Sequence, residues 1–148
     1  MSIGILKSAV TILDRLGILN RLILAGEPAA KLLGKETDFE GIFTEIPFLI
    51  EKPFGMPKTD IHEAFRAYGF DYLEDCYGAL STFHRDETRI VFYTGLNGSS
   101  RAKVIEVRSL GLNIMAARKY NSLLEDTQEI SLDGITLRIA GSASGPDD

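Results

Sequence analysis

The sequence holds one cysteine, Cys76, two histidines and no tryptophan, and each scarcity removes a class of explanation. One thiol cannot close a disulfide within the chain, and one Cys with two His cannot make the four-ligand set of a structural zinc site. No metal and no cofactor is expected. Without those staples the fold has to be held by buried apolar surface, and 45% hydrophobic against 25% charged residues over 148 positions is enough for one core. Long apolar runs are missing too. Lys7, Asp14, Arg15 and Arg21 break up the Ile-, Leu- and Ala-rich amino-terminal stretch, so it has neither the pattern of a signal peptide nor the ~20 apolar residues of a membrane-crossing helix. The expectation is a cytoplasmic protein with no membrane span. Positive charge is also short: 16 Lys and Arg against 21 Asp and Glu give a net charge of −5, which argues against nucleic acid as a partner, because phosphates demand a basic surface.

Motifs with a defined chemistry are absent as well. The sequence contains no phosphate-binding loop, no dinucleotide-binding glycine fingerprint, no HExxH zinc pair and no GxSxG nucleophile elbow.

What is present is a set of readable periodicities. Ile5, Ala9, Ile12, Leu16, Leu19 and Ile23 recur at helical spacing, predicting amphipathic helices over 2–25 with a break at Gly17, followed by a helix that starts at Glu27-Pro28 and stops at Gly34. Residues 1–34 are thus an amino-terminal helical segment on an α+β core at 35–140 in the same domain, and 141–148 read as a disordered tail. Ile42, Thr44, Ile46, Phe48 and Ile50 alternate as one face of a strand, in which Pro47 argues for an edge position or a bulge. Asp60 followed by Glu63 caps a helix carrying Ile61, Ala64, Phe65 and Tyr68 and ending at Gly69. Tyr72, Leu73, Cys76, Tyr77 and Leu80 predict a short helix within 70–83. Segments 89–96 and 102–110 are β-rich and flank Asn97-Gly98, predicting a hairpin; 113–125 reads as a helix, and 129–140 as a second hairpin around Asp133-Gly134. The fold class that follows is α+β, a single domain with a mostly antiparallel sheet built from hairpins and the amino-terminal helices packed on it.

Candidate chemistry has to be assembled from scattered residues. Cys76, the only thiol, and His84, one of two imidazoles, form a candidate thiol–imidazole couple, although a free Cys is more often a core residue than a nucleophile. Asp60, His62 and Glu63 have the elements of a metal site, but acids in a first helical turn already serve the helix dipole. The small residues and Arg101 at 97–101 resemble an anion nest, yet turn chemistry alone accounts for them. Charge is more informative. Residues 36–75 carry ten acids against Lys52, Lys58 and Arg66, a local net of −7, whereas 101–119 carry five bases against Glu106, a local net of +4. Such segments either pair within the fold or leave an acidic patch free to steer a basic partner.

The leading expectation is a small, non-enzymatic, acidic protein-binding protein, of the inhibitor or immunity type that neutralises a basic toxin or nuclease. Its contact residues would be Asp71, Tyr72, Glu74, Asp75 and Tyr77, because aromatics anchor and carboxylates steer. One alternative is a small enzyme or ligand binder using a pocket near Cys76 and His84. Another is a structural subunit that forms a homodimer through residues 2–25.

Overall fold

The computed structural model describes residues 2–34, 43–74, 79–98 and 101–141. In chain order they form α1 (Ser2–Arg15), β1 (Leu22–Leu24), α2 (Gly26–Leu33), β2 (Glu45–Ile50), α3 (Ile61–Ala67), β3 (Asp71–Glu74), β4 (Ser81–Arg85), β5 (Thr88–Thr94), β6 (Lys103–Val107), β7 (Leu112–Ala116), α4 (Asn121–Glu125), β8 (Thr127–Leu132) and β9 (Ile135–Ala140). The fold is α+β. One mixed, mostly antiparallel sheet holds all nine strands, and its two faces carry the helices. Of the tail expected at 141–148 only Gly141 is among the described residues, and residues 35–42 lie outside them.

The sheet runs β8–β9–β1–β2–β5. β2 takes one side of β5 in parallel over Arg89–Tyr93, and β4 and β7 divide the other: β4 pairs antiparallel at Thr88–Val91, β7 parallel at Tyr93–Thr94. β3 lies beyond β4 and β6 beyond β7. One face presents Phe48, Phe83 and Phe92 to α3, where the Phe65 ring stacks on Phe83 at 4.4 Å, and α1 packs beside α3 over β5 and β9. The opposite face carries Pro47 and Tyr93, covered by the start of α2 and by Tyr120, whose ring stacks on Tyr93 at 4.9 Å.

Several elements form for the reasons the sequence gives. Gly17, at φ +77°, ends α1 by adopting a left-handed conformation that side chains resist. Asp60 caps α3 by accepting the Glu63 N–H at 3.2 Å, and Asp133 and Gly134, both at positive φ, make the tight turn between β8 and β9. The stripe on α1 is buried: Ile5, Leu6, Ala9, Val10, Ile12 and Leu13 all lie in the protein's own core. The apolar side expected to form a dimer through residues 2–25 therefore faces this chain's own sheet.

Four local expectations are corrected. Leu22–Leu24 is a strand rather than helix; it runs between β2 and β9 with all three residues buried, and such a strand lacks the polar alternation that would distinguish it from the stripe preceding it. Among the described residues within 70–83, the structure has β3 and the start of β4 where a helix was expected, and 75–78 lie outside the described residues. The hairpin expected between 89–96 and 102–110 is absent, because β7 comes between, pairing with both β5 and β6. β7 also replaces the first turn of the helix expected at 113–125, leaving α4 and a preceding 3-10 turn at Arg118–Tyr120.

Pro47 lies in the middle of the sheet, not at an edge. Its carbonyl accepts the Ala25 N–H at 3.0 Å, and in an antiparallel pair the N–H and C=O of one residue point to the same neighbour. The missing N–H therefore faces the end of β1, and the ladder to β5 is unaffected. The Pro47 ring also fixes its neighbour: a Cβ at Gly26, which holds φ +72°, would fall 2.8 Å from Pro47 Cγ. Gly26→Ala is expected to cost about 1–3 kcal/mol, read as a melting temperature several degrees lower with the circular dichroism spectrum retained; an unchanged melting temperature would contradict this close approach.

Candidate functional site

Asp71, Tyr72 and Glu74, three of the expected contact residues, share strand β3, and strand alternation divides them. Register pairs Asp71 with His84 and Leu73 with Thr82 on one face, and Tyr72 with Phe83 and Glu74 with Ser81 on the other. Asp75 and Tyr77 lie outside the described residues, as does Cys76, so the pocket expected near Cys76 and His84 rests on His84 alone. There the Thr82 hydroxyl donates to the Leu73 carbonyl at 3.1 Å and accepts the His84 Nε2–H at 2.8 Å. A hydroxyl whose proton is directed at a carbonyl is not being activated by its imidazole neighbour. Burial lowers the His84 pKa, helped by Arg89 and opposed by Asp71.

The core-facing side of β3 is more elaborate. The Tyr72 hydroxyl donates to Glu74 Oε2 at 3.0 Å and lies 2.7 Å from Ser81 Oγ, which accepts the Asn113 N–H at 2.8 Å. Protons thus run in one sense, from Asn113 N–H to Ser81, from Ser81 to Tyr72 and from Tyr72 to the carboxylate, tying β7, β4 and β3 together through one buried serine. Burial raises the Tyr72 pKa, the Ser81 hydrogen bond opposes that, and the Glu74 carboxylate adds to it. The Tyr72 ring stands edge-on to His62 at 4.5 Å, and His62 Nε2–H donates to the Gly111 carbonyl at 2.7 Å.

Between this strand and the start of α3 opens a hollow of about 370 Å³, lined by Asp60, His62, Glu63, Arg66, Phe70, Asp71, Tyr72 and Phe83. Its lining is aromatic at the centre and includes three acidic residues against one guanidinium, with Asp71 reached at the strand's edge, since its side chain alternates with that of Tyr72. Arg66 donates to Glu63, and Asp60 is engaged with the Glu63 N–H. Asp71 is exposed, with no hydrogen-bond or ion-pair partner among the described residues. The hollow can therefore take a cation, with an apolar aromatic lining for its body and acidic residues for its charge. Among the described residues no three His, Cys, Asp or Glu side chains gather as metal ligands.

A second cavity, about 410 Å³, opens at the carboxyl ends of the parallel strands β2, β5 and β7, where sheets of this kind often hold ligands. Its polar groups are largely engaged within the fold. Glu51 accepts from Arg138 at 2.8 Å, which lowers its pKa, Thr94 donates to the Ile50 carbonyl at 2.6 Å, and the Asn121 amide clamps both backbone groups of Leu96. No nucleophile in its lining is paired with a base.

Of the residues that line the hollow or its hydrogen-bonded wall, sequence reasoning named Asp71 and Tyr72 as contacts, gave Asp60 and Glu63 a role at the helix start, and did not name Phe70, Phe83 or Ser81. The signal available was the period-2 alternation of Tyr72 and Glu74, which the aromatic spacing masked.

Ser81→Ala is expected to lose about 1–3 kcal/mol in denaturant titration, since it strands the Asn113 N–H and leaves the Tyr72 oxygen without a donor; a loss below ~0.5 kcal/mol would mean the joint is dispensable. His84 adds a pH signature. With its folded pKa depressed, stability is intact above the ordinary value of 6.5 and falls with pH below it, because the unfolded chain takes up the proton first. His84→Gln is expected to flatten that acid limb of the stability curve, and an unaltered slope would assign the limb to other groups.

The chain matches no family model, no curated protein and no solved structure. The function of the site is accordingly argued from its own geometry.

Proposed function

We propose that this chain is a non-enzymatic protein-binding protein whose hollow between α3 and β3 receives a Lys or Arg side chain of a basic polypeptide, with a basic toxin or nuclease held inactive as the partner class. The observation that supports the reading is the meeting of an aromatic lining with acidic residues, among which Asp71 has no hydrogen-bond or ion-pair partner among the described residues. A cation over an aromatic face gains about 0.5–1 kcal/mol when exposed and roughly 2 when desolvated, while the surrounding carboxylates raise the association rate at low salt. Nothing in this arrangement requires a reaction. The Tyr72 hydroxyl is engaged by Glu74 and Ser81 and His62 Nε2 by the Gly111 carbonyl, which fixes both rings as walls of the hollow.

The test uses the full chain, isotope-labelled, titrated with a short Arg- and Lys-rich peptide and with its Gln-substituted counterpart. Amide shifts are expected at Asp60–Arg66 and Asp71–Tyr72 with the basic peptide alone, weakening with salt and at least threefold weaker in the Asp71→Asn, Glu63→Gln variant. Shifts that spread over the surface, or that survive the double substitution, would remove the hollow from the binding surface.

A further inference from the structure

We propose that the cavity at the carboxyl ends of β2, β5 and β7 binds a small organic anion, a carboxylate carried on a flat apolar body, with the carboxylate at Lys103 and Asn97 and the body against Phe54. The floor comes from one face of the sheet. Thr94 of β5 pairs with Ala116 of β7, and Ala116 with Lys103 of β6, so their side chains form a row across the strands, and Ile105, two residues along β6, repeats that face. All of them line the cavity. Its volume of about 410 Å³ lies in the range of small-molecule sites, and β2, β5 and β7 run parallel, which brings their carboxyl ends together at its edge.

The walls are fixed before any ligand arrives. Pro53 and Phe54 stand on the 3-10 turn that follows β2; the Gly55 N–H closes this turn on the Lys52 carbonyl at 3.0 Å, and Arg21 donates to the Gly55 carbonyl at 3.2 Å. The turn is anchored, yet the Phe54 ring it carries is 80% exposed, more than any other large apolar side chain among the described residues. An aromatic ring held out at a cavity is apolar surface that a ligand can cover. Leu124 of α4 lines the cavity as well, and α4 is held close by the Asn121 amide on both backbone groups of Leu96; a Cβ at Gly95 would overlap that amide.

Polar groups in the lining divide into those already engaged and those left over. Glu51, Thr94 and Asn121 have partners within the fold. Lys103 and Asn97 have no hydrogen bond or ion pair among the described residues. An ammonium and an amide together supply the N–H donors that a carboxylate accepts. Charge agrees in sign. Glu51 is the one acid among the described residues of the lining, and its charge is met by Arg138 at 2.8 Å and by Lys52 beside it. Arg101, two residues before Lys103, likewise has no partner among the described residues. The charge left over at this end of the sheet is therefore positive, opposite to that of the hollow between α3 and β3, and it draws an anion.

Titration of the isotope-labelled full chain with indole-3-acetate, with its uncharged counterpart indole-3-acetamide and with acetate tests the proposal. The aromatic acid is expected to give saturable amide shifts at Phe54–Gly55, Leu96–Asn97 and Lys103–Ile105, with the amide at least about fivefold weaker, as the loss of a charge-assisted hydrogen bond implies, and acetate not saturating over the same range. Lys103→Gln removes the preference for the acid and Lys103→Arg keeps it, whereas Phe54→Ala weakens acid and amide alike. Both side chains are exposed, so these variants are expected to keep the wild-type melting temperature, and lost binding is then not unfolding. Absence of saturable shifts at these positions would overturn the proposal. So would equal affinity for acid and amide, which would make the cavity a general apolar cleft, a preference that survives Lys103→Gln, or binding indifferent to Phe54→Ala. The acidic hollow is read separately by the basic peptide, so either site can fail without the other.

Discussion

β5 has a full-length neighbour on one side and a shared one on the other, and most of what the surface offers follows from that sharing. β4 holds its first half and β7 the second, so the sheet forks, and the fork has to be pinned where its two arms meet. Ser81 is the pin. Nearly fully buried at the inner end of β4, it takes the Asn113 N–H from β7 and engages the Tyr72 hydroxyl from β3, joining strands that share no ladder. Buried polar groups are costly unless completely paired, and here each partner completes the next, which fixes the angle between the arms more tightly than apolar contact would. The hollow lies over one arm because α3 packs its Phe65 on Phe83 of β4, and Asp60 and Glu63 at the start of α3 line it.

How much of this was legible depends on whether the determining contact is local. The end of α1 at Gly17, the capping of α3 by Asp60 and the turn at Asp133-Gly134 each depend on a residue and its near neighbours, and the structure has all three. β1 and β7 depend on partners far along the chain: Leu22 pairs with Ile50, and Tyr93 with Met115. Their own residues, Leu-Ile-Leu in one and Ile-Met-Ala in the other, are at least as good in helices, so propensity was overridden by the place left for a strand. Pro47 misled for a related reason. The rule that proline avoids central strands concerns its missing donor, and the donor position here faces the point where β1 has already turned into α2.

The candidate site was legible in its residue types and hidden in its geometry. Acidic and aromatic side chains around Asp71 and Tyr72 suggested a surface for a basic partner, but a helix would have spread them over a broad face, whereas β3 sends Tyr72 and Glu74 inward over the hollow's side of the sheet and Asp71 and Leu73 to the other. Of the cluster at the start of α3, Asp60 caps the helix as expected, while His62 reaches Gly111 and Glu63 pairs with Arg66, and the two acids also line the hollow. One residue can serve both purposes.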